Sequence, residues 1–246
     1  MNYDGETLYD QDAFLQQYIQ KRDRGNAPNE TLEQPAFDAL LGEVSGLDIL
    51  DLGCGDGRYG EQLLQRGAKS YHGIDASANM LALARQRLAA TPARVEQYAF
   101  ADFPFPTAAY DVVVSRLALH YLPDLAPVIT GVRRALRPGG RLIFSVEHPA
   151  ITAYDSDLRG LTGKREQWII DNYFREGDRV SQWLDHPVLT YHRTIESYFA
   201  SWQEGGFRCE GLKEATPTLR YVGDPHEVAR RQRYPLFLLL AWRKTP

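Results

Sequence analysis

The chain has 246 residues, 43% of them hydrophobic and 24% charged, with a formal net charge of −4. That composition suits one α/β domain with a well-buried core plus an insertion. The negative charge argues against a nucleic-acid substrate, whose binding depends on neutralising phosphates. Its two cysteines, Cys54 and Cys209, make neither a disulfide framework nor a metal cluster. The segment Met1 to Asp10 is acidic and has no apolar core, so it does not read as a signal peptide, and no apolar run approaches the roughly 20 residues that span a bilayer. The expectation is a cytoplasmic protein with no membrane partner and no bound metal.

In chain order, residues 1–44 read as a helical cover. Asp12 to Lys21 spaces Phe14, Leu15, Tyr18 and Ile19 along one helix face, Asn26-Ala27-Pro28-Asn29 is a loop, and a second helix runs from Thr31 to about Leu41. Strands and helices then alternate from Leu47 to Val146. Strands are expected near 48–52, 70–75, 93–98, 111–115 and 140–146, and helices near 58–67, 77–90 and 125–136. Such alternation predicts a parallel sheet with helices on both faces and a ligand site at the C-terminal strand ends.

The first strand of that series ends in Asp51-Leu52-Gly53-Cys54-Gly55-Asp56-Gly57-Arg58. A strand that breaks into a glycine turn and then a helix brings bare backbone N–H groups toward a ligand. Two ligands compete. Gly55 to Gly60 satisfies the G-x-G-x-x-G dinucleotide pattern, with Asp75 roughly 20 residues on, which would make the protein an NAD(P)-dependent oxidoreductase. Against that, Asp51 precedes the first glycine, the turn begins early at Gly53, and Arg58 and Glu61 occupy positions where a pyrophosphate needs bare backbone. A carboxylate at Asp51 suits a cationic ligand. Cys54 reads as a small spacer in the turn.

The whole string resembles motif I of the class I S-adenosylmethionine (SAM)-dependent methyltransferases. Three further stretches extend the resemblance: Tyr71-His72-Gly73-Ile74-Asp75 is similar to the family's second strand, Asp111-Val112-Val113-Val114-Ser115 to its fourth, and Leu136-Arg137-Pro138-Gly139-Gly140 to its turn into the fifth. It covers about Val44 to Val146. It implies an α/β, Rossmann-like, seven-stranded, mostly parallel sheet with helices on both faces and a C-terminal antiparallel hairpin. It also implies SAM as cofactor and S-adenosylhomocysteine as product. Carried over by position, Asp51, Gly53, Cys54 and Gly55 would face the amino-acid half of SAM, and Asp75 with Ala76 would hold the ribose. Ala99, Phe100 and Asp102 would border the adenine, with Ala99 standing where members often carry Asp. Ser115 and Arg116 would lie beneath the methionine.

The stretch from His148 to residue 193 breaks the rhythm with Trp168, Tyr173, Phe174, Trp183 and Tyr191 among many charges. It reads as an inserted β-rich lid, with short strands near 167–175, 179–183 and 188–194 and a hairpin turn at Gly177-Asp178. A structural addition or a dimer contact is the plainer alternative. Thr194 to Glu204 resumes a helix that Gly205-Gly206 stops, and Phe207 to Glu214 and Tyr234 to Arg243 are the last two strands. The expected organisation is a single domain with a cover at 1–44, a SAM-binding core at 45–147, the lid at 148–193 and a C-terminal helix and strands at 194–246.

Methyl transfer is an in-line displacement in which orientation alone removes about 7–11 kcal/mol of barrier. A general base is needed only when the acceptor starts protonated. His148 and His120 are the candidate bases because both follow strands whose ends meet the ligand, and each also reads as a structural histidine. Glu147 points to the opposite face from His148 if the strand persists. Arg22, Arg24 and Arg116 are candidate anion contacts, and Tyr191-His192-Arg193 would line the acceptor pocket. The clusters Arg133, Arg134, Arg137 and Arg230, Arg231, Arg233 read as solvated faces. The expected function is methyl transfer from SAM to a small-molecule acceptor. An oxidoreductase, a methyltransferase of RNA or protein, and a non-catalytic SAM-binding protein are the rivals. Oligomeric state is left open.

Overall fold

Five apolar runs flanked by polar turns form the parallel centre of a sheet in the computed structural model, which describes residues 8–23, 25–153, 168–184 and 186–246. They are β1 (Asp48–Leu52), β2 (Ser70–Asp75), β3 (Ala93–Gln97), β4 (Tyr110–Arg116) and β5 (Leu136–Glu147). Two strands from the chain end, β8 (Phe207–Glu214) and β9 (Phe237–Lys244), complete a seven-stranded sheet in the order β3-β2-β1-β4-β5-β9-β8. β9 runs antiparallel to both β5 and β8. The order reverses between β1 and β4, which places the switch point beside the glycine turn.

Both sheet faces are covered, so the central strands are apolar on both sides. One face packs α2 (Gln34–Leu41), α3 (Arg58–Gln65) and α4 (Ala78–Leu88) through Phe37, Leu41, Leu63, Leu81 and Leu88 onto Ile49, Val112, Ile143 and Leu239. The other packs α5 (Ala126–Ala135) and α7 (Ile195–Glu204) through Val128, Val132, Tyr198 and Trp202 onto Leu50, Val113, Leu142 and Phe144. Ahead of them α1 (Asp12–Asp23) and a π-helical turn (Asn29–Glu33) form the cover, and α6 (Pro149–Thr152) follows β5. Ser77 and Thr194 cap α4 and α7 by accepting from Met80 N and Ser197 N.

The lid is a two-stranded hairpin, β6 (Gly177–Trp183) and β7 (His186–His192). Its turn lies beyond Trp183, and Gly177 instead pairs with His192 at the open end, so the turn expected at Gly177-Asp178 is misplaced. Next to the closed end, Trp183 packs edge-to-face on Phe14 and Tyr18 of α1, at 5.4 and 5.6 Å between ring centroids. The strand expected near 167–175 is not one: residues 168–176 are irregular, and residue 167 lies outside the described residues. Two short helices between β8 and β9, α8 (Leu219–Val222) and α9 (Pro225–Arg231), went unrecognised because they are only one or two turns long.

Arg137 is partly solvent-exposed, as expected, yet it also makes ion pairs. It bridges Asp48 and Asp111 at 2.9 and 2.6 Å, tying the starts of β1, β4 and β5 together. Bonds from Ser70, Lys69 and Arg137 hold the Asp48 carboxyl down to about 2. Arg133 likewise donates to Gly206 O at 2.7 Å. No helix among the described residues is long and apolar enough to cross a membrane.

Gly60, within α3, lies directly over the Tyr71 ring of β2, where a Cβ would come within 2.3 Å of it. Helix α3 can therefore approach β2 only with no side chain at residue 60. Gly60→Ala should lower stability by about 1–3 kcal/mol, seen as a reduced Tm. An unchanged Tm would mean that the helix can shift freely.

Candidate active site

A cavity of about 460 Å³ opens at the C-terminal ends of β1, β2, β4 and β5, beneath α1 and the lid hairpin. Of the residues singled out from the sequence, Asp51, Gly53, Cys54, Gly55, Asp75, Ala76, Phe100, Arg116 and His120 line it. Ser115, Ala99, Asp102 and His148 do not.

Asp51 ends β1 almost wholly buried. Its Oδ2 accepts the Tyr71 hydroxyl at 2.7 Å, while its Oδ1, also buried, has no partner. Burial pushes the carboxyl up to about 6, against the Tyr71 bond and the Arg116 charge, which pull it down. A buried carboxylate with an open lone pair favours a cation or a strong donor in the cavity.

The turn after Asp51 overturns one expectation. Its amides are not bare: Gly53 N and Cys54 N both donate to Ile74 O at 2.9 Å, Gly55 N to Asp75 Oδ2 at 2.8 Å, Gly57 N to Cys54 O, and Arg58 N to Asp56 Oδ1. The start of α3 is thus already met by the Asp56 carboxylate, which would set a like charge beside a pyrophosphate there. Positive φ at Gly53 (81°) and close approach to Ala118, 2.6 Å from where a Cβ would stand, explain why only glycine serves at that point.

Asp75 ends β2. Its oxygens accept Gly55 N and Ser77 N (3.0 Å), each keeping acceptor capacity toward the cavity, and burial raises its carboxyl above the ordinary value. Tyr98, Phe100 and Met80 form the apolar wall beside it. The polar position expected at Asp102 turns away, with its amide bonded to Ala99 O.

Several expected ligand contacts hold the fold instead. Ser115 Oγ donates to Leu52 O, clamping β4 to β1. Arg116 lines the cavity, but its Nε and Nη2 are taken by Glu33, a fully buried carboxylate that also accepts Ser145 Oγ at 2.6 Å. The guanidinium rests 4.4 Å from the Tyr59 ring centroid. This pair pins the cover to β4 and β5, and nothing in the sequence pattern paired Glu33 with it. Arg22 reaches Asp56 and the Tyr18 hydroxyl through Nη1, while its buried Nε has no hydrogen-bond partner. Arg24 lies outside the described residues.

Neither histidine serves as the expected base. His148 Nδ1 accepts Ala150 N as the cap of α6, and its Nε2 meets Glu214 at 2.9 Å, outside the cavity. His120 does line the cavity, but burial and the Arg193 charge depress its imidazolium to about 3, which makes it a weak proton acceptor near neutrality. Its Nδ1 accepts Glu147 N at 3.4 Å, so the proton resides on Nε2. Of Tyr191-His192-Arg193, none lines the cavity. His192 is held by Thr152 and Tyr173 O, and Arg193 by the carbonyls of Leu122 and Pro123.

Carboxylates at the ends of β1 and β2, flanking a turn with its amides spent, fit a ligand carrying a cation and a diol. The comparisons with known proteins agree. A methyltransferase-domain model matches residues 49–140. An S-adenosylmethionine-dependent methyltransferase structure from Mesorhizobium loti is 36% identical, covering 89% of this chain and 98% of that one with a TM-score of 0.79. The chain belongs to the class I SAM-dependent methyltransferases. It is also 30% identical over 217 residues to an uncharacterized protein of Haemophilus influenzae, 85% of each chain. To the 27-O-demethylrifamycin SV methyltransferase of Amycolatopsis mediterranei it is 32% identical over 195 residues, 72% of this chain and 68% of that one. The methyltransferase's cofactor is SAM.

The folded-state pKa of Asp51 stands above its unfolded value, so the native protein binds more protons between roughly pH 4 and 6 and loses stability as the pH rises through that window. Asp51→Asn should therefore raise the Tm of the ligand-free methyltransferase at pH 7 while weakening S-adenosylhomocysteine binding. A fall in both would show that Asp51 stabilises the fold by itself.

Proposed function

We propose that this methyltransferase passes the methyl group of SAM to a small-molecule acceptor enclosed between the ends of β4 and β5 and the lid hairpin. In this reading Asp51 answers the cationic side of SAM and Asp75 its ribose hydroxyls, with Tyr98 and Phe100 beside the adenine. The Arg22 guanidinium, which also meets Asp56 and Glu30, answers the cofactor's carboxylate. Cover, core, lid and C-terminal strands act as parts of one domain.

When bound, SAM supplies an electrophilic methyl on a sulfonium leaving group. The chain's own contribution is position and exclusion of water. β1 and β2 hold two carboxylates on rigid strand ends. The Glu33–Arg116 pair fixes the cover from below, and the Phe14–Trp183 contact fastens it to the lid from above. The roofed cavity supports a small acceptor over a macromolecular segment, which would have to part the lid from α1.

The observation that carries this reading over an oxidoreductase is the turn with five amides already bonded, next to an open carboxylate oxygen on Asp51. Calorimetric titration with S-adenosylhomocysteine, NAD and NADP tests it. Only S-adenosylhomocysteine should bind, and Asp75→Ala should weaken it by about 10–100-fold, the worth of hydrogen bonds to a charged acceptor. Binding of NAD or NADP, or an Asp75→Ala variant with unchanged affinity, would overturn the assignment.

A further inference from the structure

Glu147 is the last residue of β5, and its carboxylate faces the cavity. Level with Asp51 across the ladder are Val114 and then Ile143, so Glu147 stands four residues farther along β5, on the acceptor side and away from the β2 end of the site. Among the described residues no side chain or amide donates to its carboxylate. The titratable groups around it are His120 and Tyr121 on the turn Leu119–Tyr121, and Tyr198 on α7. Among the described residues Arg193 is the cation beside His120 and Tyr198; its Nη2 donates to the carbonyls of Leu122 and Pro123, and its buried Nη1 has no hydrogen-bond partner. Burial alone raises the Glu147 carboxyl to about 7.

The wall that continues from Glu147 is aromatic. Tyr121 is hydrogen-bonded to Tyr9, and Tyr9 packs on Tyr18 and Trp183 at 5.2 and 6.2 Å between centroids. All four rings line the cavity, as does Trp168. A carboxylate to which no described side chain donates, set among aromatic rings, fits a cationic group, which gains both the ion pair and cation–π attraction, although Lys21, Arg22, Arg116 and Arg179 line the same cavity. An acceptor carrying a carboxylate at that point would meet like charge.

We infer that Glu147 binds the acceptor and is the general base of the reaction, and that the acceptor is a protonated primary or secondary amine carried on an apolar body. The inference rests on the methyltransferase reading above. The ammonium first forms an ion pair with Glu147 and gives it one proton. The freed nitrogen lone pair then forms the N–C bond as the methyl's bond to sulfur breaks, with that electron pair staying on sulfur. The product leaves as a methylated ammonium, and Glu147 returns its proton to solvent. His120, neutral with its proton on Nε2, does not compete for it.

The test uses the full chain, wild type and Glu147→Gln, with phenethylamine, phenol and 3-phenylpropionate as probes. Each probe is titrated into protein saturated with S-adenosylhomocysteine, and each is then incubated with SAM and followed by product mass. Wild type should bind phenethylamine below about 10 mM and at least about tenfold more tightly than phenylpropionate, and should methylate its nitrogen. Activity should rise with pH through roughly 7. Glu147→Gln should bind S-adenosylhomocysteine as wild type does, bind the amine about tenfold more weakly, and lose about 100-fold in kcat/KM together with the rising pH limb. Equal or tighter binding of phenylpropionate, methylation of phenol in place of the amine, or a Gln variant with an unchanged pH profile would overturn the inference. So would an amine that fails to bind or is not methylated. The wild-type preference decides the matter even if the variant folds poorly. Failure of wild type to bind S-adenosylhomocysteine at all would instead refute the cofactor assignment.

Discussion

The bond from the Tyr71 hydroxyl to Asp51, at 2.7 Å, is the contact on which the site depends. It holds one oxygen of a buried carboxylate and leaves the other, also buried, without a hydrogen-bond partner. The bond exists because α3 lies close enough to β2 to seat the Tyr71 ring, and α3 lies that close because residue 60 is glycine. A packing constraint in the sequence therefore becomes an electrostatic property of the site. The protein keeps a carboxylate where burial disfavours its charge, and a cationic ligand relieves that cost.

The same logic separates two readings that share a glycine pattern. In a dinucleotide fold, glycines free backbone amides for a pyrophosphate. Here Gly53, Gly55 and Gly57 fold the turn back on itself and on β2, and the amides are consumed by Ile74 O, Asp75, Cys54 O and Asp56. The glycines allow close approach, to Ala118 at Gly53 and to Leu88 and Ala84 at Gly57. What decides the ligand class is the destination of the N–H groups, which a spacing pattern does not record.

The parallel core was legible because β1, β4 and the second half of β5 are apolar runs and because helical segments alternate with the strands. Asp51 and Asp75 were legible as acids at strand ends. The partners of the arginines were not. Glu33 and Arg116 are separated by 83 positions, and Arg137 reaches Asp48 across 89, so only the tertiary fold pairs them. The lid was legible as a β-rich insertion but not in register, since Gly177-Asp178 gave a turn signal at what is the open end of the hairpin. His148 and His120 were misjudged because strand-end position says nothing of burial or of which ring nitrogens are already bonded. Glu147, the alternate residue beside His148, is the one that faces the cavity, in keeping with the period of the strand.

If the site is built around an acid that burial holds up and a cation brings down, ligand binding must be linked to proton release. The direct measurement is calorimetry of S-adenosylhomocysteine binding in buffers of different ionisation enthalpy from pH 5 to 8. The account predicts release of roughly half a proton per site near pH 6, fading to none by pH 8, and loss of that release in Asp51→Asn. Proton uptake near pH 6, or release that persists unchanged in the variant, would contradict it.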